Sequence, residues 1–200
     1  MRKISWTAIF SVALILFSFA AMSSAASNAD WKKLYIDYIN GNPGSEPDLS
    51  GYSLIYINDD DIPELWIDYG LGFEGYVLCS VSDGKLEVAK FSHCGLAYIE
   101  LQNLFVIGGG RMDHYYDEVY RIQNGKFTRL HRGNYGAEDN SNVQRDAEGN
   151  PVYRYYWDGK EVSENEYERA LSSAFDDSKA AAADENSSSA REIIPRIRLW

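Results

Sequence analysis

Asn58, Asp60 and Glu64 put three oxygen-bearing side chains on one short acidic stretch, Asn-Asp-Asp-Asp-Ile-Pro-Glu. Oxygen donors on alternate positions of a tight loop are how a hard cation such as calcium is held. The stretch departs from a full calcium loop at both ends. Tyr56 stands where the first ligand would be, Asp61 replaces the bend glycine, and Ile67 occupies the place of the closing bidentate glutamate. Two readings stay open: a weak calcium site on Asn58, Asp60 and Glu64, or a turn whose side chains cap backbone amides. No other cofactor is expected.

A second chemistry lies in the aromatic residues. Between His114 and Gln123, strand alternation puts Tyr116, Glu118, Tyr120 and Ile122 on one face and Tyr115, Asp117, Val119 and Arg121 on the other. Further on, Tyr153, Tyr155 and Trp157 oppose Val152, Arg154 and Tyr156. One face of each strand belongs to the core. The other presents Tyr and Trp to solvent, as a glycan- or peptide-binding sheet does, and Tyr115, Tyr153, Tyr155 and Trp157 are the candidate ligand-binding residues. Tyrosine is also a good strand former, so an ordinary packed sheet is the competing reading. Asp117 or Glu118 would serve a secreted hydrolase only opposite a second carboxylate, and no catalytic residue is assigned.

The remaining reactive side chains carry less. His93, His114 and His131 show no metal-ligating spacing, and no serine lies in a Gly-x-Ser-x-Gly elbow. Gly108-Gly109-Gly110 lacks the Lys-Ser/Thr of a phosphate loop and reads as a bend or bulge. Cys79 and Cys94 could bond in an oxidising compartment. A hairpin turn at Ser82-Asp83-Gly84, however, sets Val88 rather than Cys94 opposite Cys79, so bridge and free thiols both stay open.

The elements that must position these residues follow from periodicity. Trp31, Leu34, Tyr35, Tyr38 and Ile39 form one apolar helix face, stopped by Gly41, Asn42 and Pro43. Short strands then alternate with turns at Ser82-Asp83-Gly84, Asn124-Gly125 and Asp158-Gly159. Ser163 and Glu166 make a capping box for a second helix with Tyr167, Leu171 and Phe175 on one face. The expected fold is α+β: an antiparallel meandering sheet with an N-terminal and a C-terminal helix, a barrel- or propeller-like closure being the alternative. Ile62, Leu65, Ile67, Val77, Val119, Tyr120, Ile122 and Phe127 are the leading core candidates.

Tyr52–Ile67, with its aspartate-rich turn followed by Ile-Pro-Glu-Leu, is similar to the signature of small secreted proteins and lipoproteins of anaerobic Gram-positive bacteria. The resemblance continues through Gly109-Gly110-Arg111-Met112, Tyr115–Tyr120, Tyr135–Asn140 and Tyr156–Ser163, covering roughly residues 30 to 176. It implies export and an uncharacterised bacterial family, and it donates no activity.

Arg2 and Lys3, the uncharged apolar run Ala8–Met22 and the small residues Ser23–Ala26 read as a signal peptide over residues 1–26. Removing it takes away two basic residues and no acidic ones, moving the formal charge from −11 to −13. A body this acidic argues against nucleic-acid binding, and no later run suits stable membrane insertion. Residues 27–176 suit one β-rich domain. The polar, alanine-rich 177–190 reads as a linker, and the basic, apolar 191–200 as a tail that docks back as a short edge strand. The expectation is a secreted, non-catalytic recognition module for an extracellular glycan, peptide or protein, with the secreted hydrolase as alternative.

Overall fold

The computed structural model describes residues 31–71 and 74–200; the expected signal peptide lies outside the described residues. The described residues open with helix α1 (31–41), whose Trp31, Tyr35 and Ile39 recur on one face and are buried. Strands β1 (Gly51–Ile55), β2 (Glu64–Asp68), β3 (Tyr76–Ser82) and β4 (Lys85–Phe91) follow as an antiparallel sheet in that order. Strands β5 (Cys94–Ile99), β6 (Leu104–Arg111), β7 (His114–Gln123), β8 (Lys126–Gly136), β9 (Arg154–Trp157) and β10 (Lys160–Val162) continue the meander. With β11 (Ala181–Ala182) against β5, they make a second, seven-stranded antiparallel sheet. Helices α2 (Glu164–Ala174) and α3 (Ala190–Leu199) complete an α+β architecture of two open sheets rather than a closed barrel.

Strand alternation explains the layering. Leu65, Ile67, Val77, Cys79 and Val81 face one way and pack with α1 and with Ile193 and Ile197 of α3. Trp66 and Leu78, one residue out of step, face the other way and meet Leu96, Phe105, Ile107 and Ile122 between the sheets. A third cluster, Ile99, Val119 and Phe175 with Leu171 packed on it, lies on the outer face of the larger sheet beneath α2. The expected core residues are found there: six are buried, while Tyr120 and Phe127 are partly buried and pack against the inter-sheet cluster.

Three hairpin tips match their sequence signals. Asp83-Gly84, Asn124-Gly125 and Asp158-Gly159 all have both residues at positive φ, the mirror-image turn that suits strand twist. Cys79 faces Val88, as the turn register requires. Both cysteines are free and buried: Cys79 packs on the α1 side of its sheet and Cys94 packs between the sheets. Burial pushes their thiols up to about 12 and about 11, so both are protonated packing groups.

The last 24 residues differ from expectation in two ways. Residues 177–190 are a strap rather than a linker. Ala181 and Ala182 pair with Tyr98 and Ala97, Ala183 is buried, and Ser188 exchanges two backbone hydrogen bonds with Tyr52. The tail docks, but as helix α3 and not as an edge strand. Ser189 and Glu192 form a capping box like that of Ser163 and Glu166, and Ile193 and Ile197 fall four apart on the buried stripe. Pro195 sits inside that helix.

Candidate functional site

The acidic turn proves to be a folded latch. Glu64 starts β2, is 1% exposed, and its carboxylate accepts from the amides of Ile57 and Asn58, from Asn58 Nδ2 and from Ser80 Oγ. Asp60 Oδ1 accepts from the Ile62 amide and Asn58 Oδ1 from the Asp60 amide, each two residues on, which is the Asx-turn arrangement. Tyr35 of α1 donates to the Pro63 carbonyl at 2.8 Å, fixing the turn to the helix. Burial pushes the Glu64 carboxyl up to about 7 against the pull of those donors. The expected calcium ligands Asn58, Asp60 and Glu64 are therefore brought together, with their oxygens aimed at N–H and O–H groups of the chain. Among the described residues no group of three His, Cys, Asp or Glu side chains is arranged to hold a metal.

The aromatic candidates also come together, and the register shows how. Tyr115 pairs with Tyr135 and Tyr135 with Tyr155 across β7, β8 and β9, so the three rings stand in a row on the outer face. They stack face to face at 5.0 and 5.2 Å, and Tyr153 leans on Tyr115 at 5.9 Å. Tyr167 of α2 drops its ring edge-on against Tyr135, Tyr155 and Trp157, and Trp157 stacks on His131. Gly133 makes this possible: a Cβ there would lie 2.4 Å from the Tyr167 hydroxyl oxygen.

Three of the hydroxyls of this array are spent as well. Tyr153 donates to Asp113, Tyr155 to Glu164 and Tyr167 to Asp117, each at 2.7 Å. Tyr167 is 4% exposed, and desolvation holds the Asp117 carboxyl above its usual range. Ring faces turned on one another and hydroxyls bonded to acids describe a packed cluster. Tyr135 and Tyr167, its two central rings, were not among the ligand-binding candidates; Tyr167 was expected only on the apolar face of the second helix.

The opposite face is different in kind. β4 ends at Phe91 and β5 begins at Cys94, so Ser92 and His93 carry the chain from one sheet to the other. At this corner the β6–β7 hairpin overhangs, because β5 pairs no further along β6 than Gly109. Gly109 and Gly110 allow the close passage: Cβ atoms there would lie 2.2 Å from the carbonyl oxygens of His93 and His114. Between the corner and the overhang opens a cleft of about 610 Å³.

Its lining has three parts. Phe91, Tyr116 and Tyr120 supply rings; Lys90, Arg111 and Arg132 supply cations; His93, His114 and Asn140 add hydrogen-bonding groups. Glu118 is the single carboxylate of the lining. Its side chain is 13% exposed and already engaged, accepting from Arg129 and from the Tyr120 hydroxyl at 2.7 Å each, with Arg132 Nε at 3.5 Å. Asp117, the neighbouring residue, is directed to the outer face under Tyr167, so alternation separates the two acids.

The hairpin tip that roofs the cleft is strained. Met112 and Asp113 take φ of 50° and 59°, the same mirror-image turn as the three glycine-bearing tips, but with an unbranched, bulky Met at the first position. Met112 is 76% exposed. The strain is held by neighbours: Ala137 donates its amide to the Asp113 carbonyl at 2.9 Å, Asn140 Nδ2 donates to the Met112 carbonyl, and Tyr153 holds the Asp113 side chain. Strained backbone that its surroundings over-determine is characteristic of ligand-contacting segments. The one sequence signal for it was a hairpin turn, Met-Asp, lacking the glycine that the chain uses at its other two-residue tips.

Comparison with known proteins adds no relative to this geometry: no protein-family model, no curated protein and no solved structure matches the chain.

Proposed function

We propose that the protein is an exported, non-catalytic recognition module whose ligand seats in the cleft beneath the β6–β7 hairpin. The observation that carries this reading is the combination found there: an open volume of about 610 Å³, within the range of small-ligand sites, lined by rings and by polar groups with hydrogen-bonding capacity to spare. Rings beside convergent donors suit an amphipathic, ring-bearing ligand such as a saccharide. Export is supported by the basic, apolar and small-residue succession of residues 1–26.

Binding is favoured over carboxylate-based hydrolysis because Glu118 has no acidic partner across the cleft and is neutralised by Arg129. The test is a glycan and peptide array probed with the wild type and with Ser92→Trp. Ser92 is exposed on the cleft wall, and an indole there fills the opening without touching the core. The expected result is saccharide binding by the wild type that Ser92→Trp loses. Binding of equal strength by the variant would overturn the assignment of the cleft.

A further inference from the structure

We propose that the cleft selects an anionic saccharide, one carrying a carboxylate or sulfate group on a sugar ring. This rests on the cleft being the ligand site and adds the charge of what it takes. The chain holds 30 Asp and Glu against 19 Lys and Arg, so a random patch of its surface is net negative. The cleft reverses that sign. Lys90, Arg111 and Arg132 converge on it against Glu118 alone, and Glu118 is already paired to Arg129 from outside the cleft.

The cations are also free to act. Among the described residues Lys90 and Arg111 make no ion pair, and Arg132 meets Glu118 only at 3.5 Å through Nε, leaving the rest of its fork for another acceptor. They come from three separate segments, the end of β4, the strained hairpin tip and the middle of β8. Three cations from three strands, two of them without an ion pair among the described residues, gathered into one concave space on a protein whose other charges are mostly acidic, make a local attractor for an anion. The rings Phe91, Tyr116 and Tyr120 and the exposed Met112 give the apolar surface against which a sugar ring lies. Arg111 and Met112 stand side by side on the tip, so the strained turn places the cation and the apolar contact together.

The test is calorimetric titration with three probes of one linkage: a uronic acid disaccharide, a sulfated disaccharide and the neutral disaccharide. Each is titrated into the wild type, Ser92→Trp and the double variant Lys90→Ala/Arg111→Ala, whose side chains are exposed and leave the core intact. Expected is at least about tenfold tighter binding of an acidic probe than of the neutral one, the margin shrinking roughly threefold to tenfold for each cation removed. Whether the uronate or the sulfate binds tighter identifies which acidic group the site prefers. Equal binding of acidic and neutral probes, abolished by Ser92→Trp, overturns the charge inference and leaves the cleft as the ligand site. An acidic preference that survives in the double variant overturns the role given to Lys90 and Arg111. Absence of binding by all three probes overturns both this inference and the saccharide reading beneath it.

Discussion

The two faces of the seven-stranded sheet carry comparable aromatic endowments and do opposite things with them. On the outer face Tyr115, Tyr135, Tyr155, Tyr167 and Trp157 stack on one another, and three of the tyrosine hydroxyls on that face end on Asp113, Glu164 and Asp117. On the inner face, where the sheets part at Ser92 and His93, the rings line a space, and among the described residues Lys90 and Arg111 beside them make no ion pair. Aromatic content is thus a poor guide to a binding face. What separates the two is open space and charge: in the cleft Tyr120 also stacks on Phe105 and bonds Glu118, and Tyr116 bonds the Ser92 carbonyl, but the rings border a cavity beside Lys90 and Arg111, which make no ion pair among the described residues.

Substitutions break or sharpen that contrast. The largest effect is expected for Tyr167→Ala, which empties the centre of the outer cluster at a residue only 4% exposed. Loss of about 3–5 kcal/mol of unfolding free energy in a denaturant titration is predicted, with ligand affinity per folded molecule unchanged. A variant that folds as well as the wild type would show that the outer array is not structural.

Acidity gives the next effect and separates stability from binding. The Glu64 carboxyl is lifted to about 7 in the folded protein from an ordinary value near 4.5. The native state therefore binds more protons than the unfolded chain between those values, and stability falls as pH rises from about 5 to about 8. The contribution is fully present below the unfolded value and is lost through the folded one, on the order of 3 kcal/mol in all. Thermal melts across that range should show the decline, and Glu64→Gln should flatten it. An unchanged slope in the variant would place the titration elsewhere.

Smaller still is Tyr167→Phe, which keeps the ring and removes the hydrogen bond to Asp117, at roughly 1 kcal/mol. Lys90→Ala and Arg111→Ala should each leave stability within about 0.5 kcal/mol while weakening the acidic probe, the reverse of the outer-face variants. Calcium is expected to do least. Because the oxygens of Asn58, Asp60 and Glu64 accept from the chain's own donors, millimolar calcium should leave the melting temperature where it is. A rise abolished by Asp60→Ala would restore the cation reading.

Much of the fold was legible because its signals are local. Asp83-Gly84, Asn124-Gly125 and Asp158-Gly159 specify their turns through two residues, and Ser163 with Glu166 marks a helix start within four. Ser189 and Glu192 carried the same helix signal at the C-terminus, but alternating basic and apolar residues suggested a strand there, one that Pro195 would confine to a sheet edge. Alanine-rich 177–190 resembled a linker because composition alone does not reveal that Ala181 and Ala182 pair with Tyr98 and Ala97 of β5.

The site was less legible because it is assembled from a distance. Alternation correctly put Tyr115 and Tyr116 on opposite faces, yet could not say which face α2 would cover. Lys90, Arg111 and Arg132 lie far apart in the chain and meet only through the pairing of β6, β7 and β8 and the sheet-to-sheet step at Ser92. Glu64 looked like a ligand because its burial depends on Ser80 and Ile57, which no spacing rule connects to it.

The most direct test of the contrast is an amide chemical-shift map of the protein titrated with a uronic acid disaccharide. The account predicts perturbations concentrated at 90–93, 110–114 and 132, the three segments that build the cleft, with Tyr135, Tyr155 and Trp157 unmoved. Perturbations centred on Tyr115, Tyr135, Tyr153 and Tyr155, with Lys90 and Arg111 silent, would contradict it and return the binding role to the outer tyrosines.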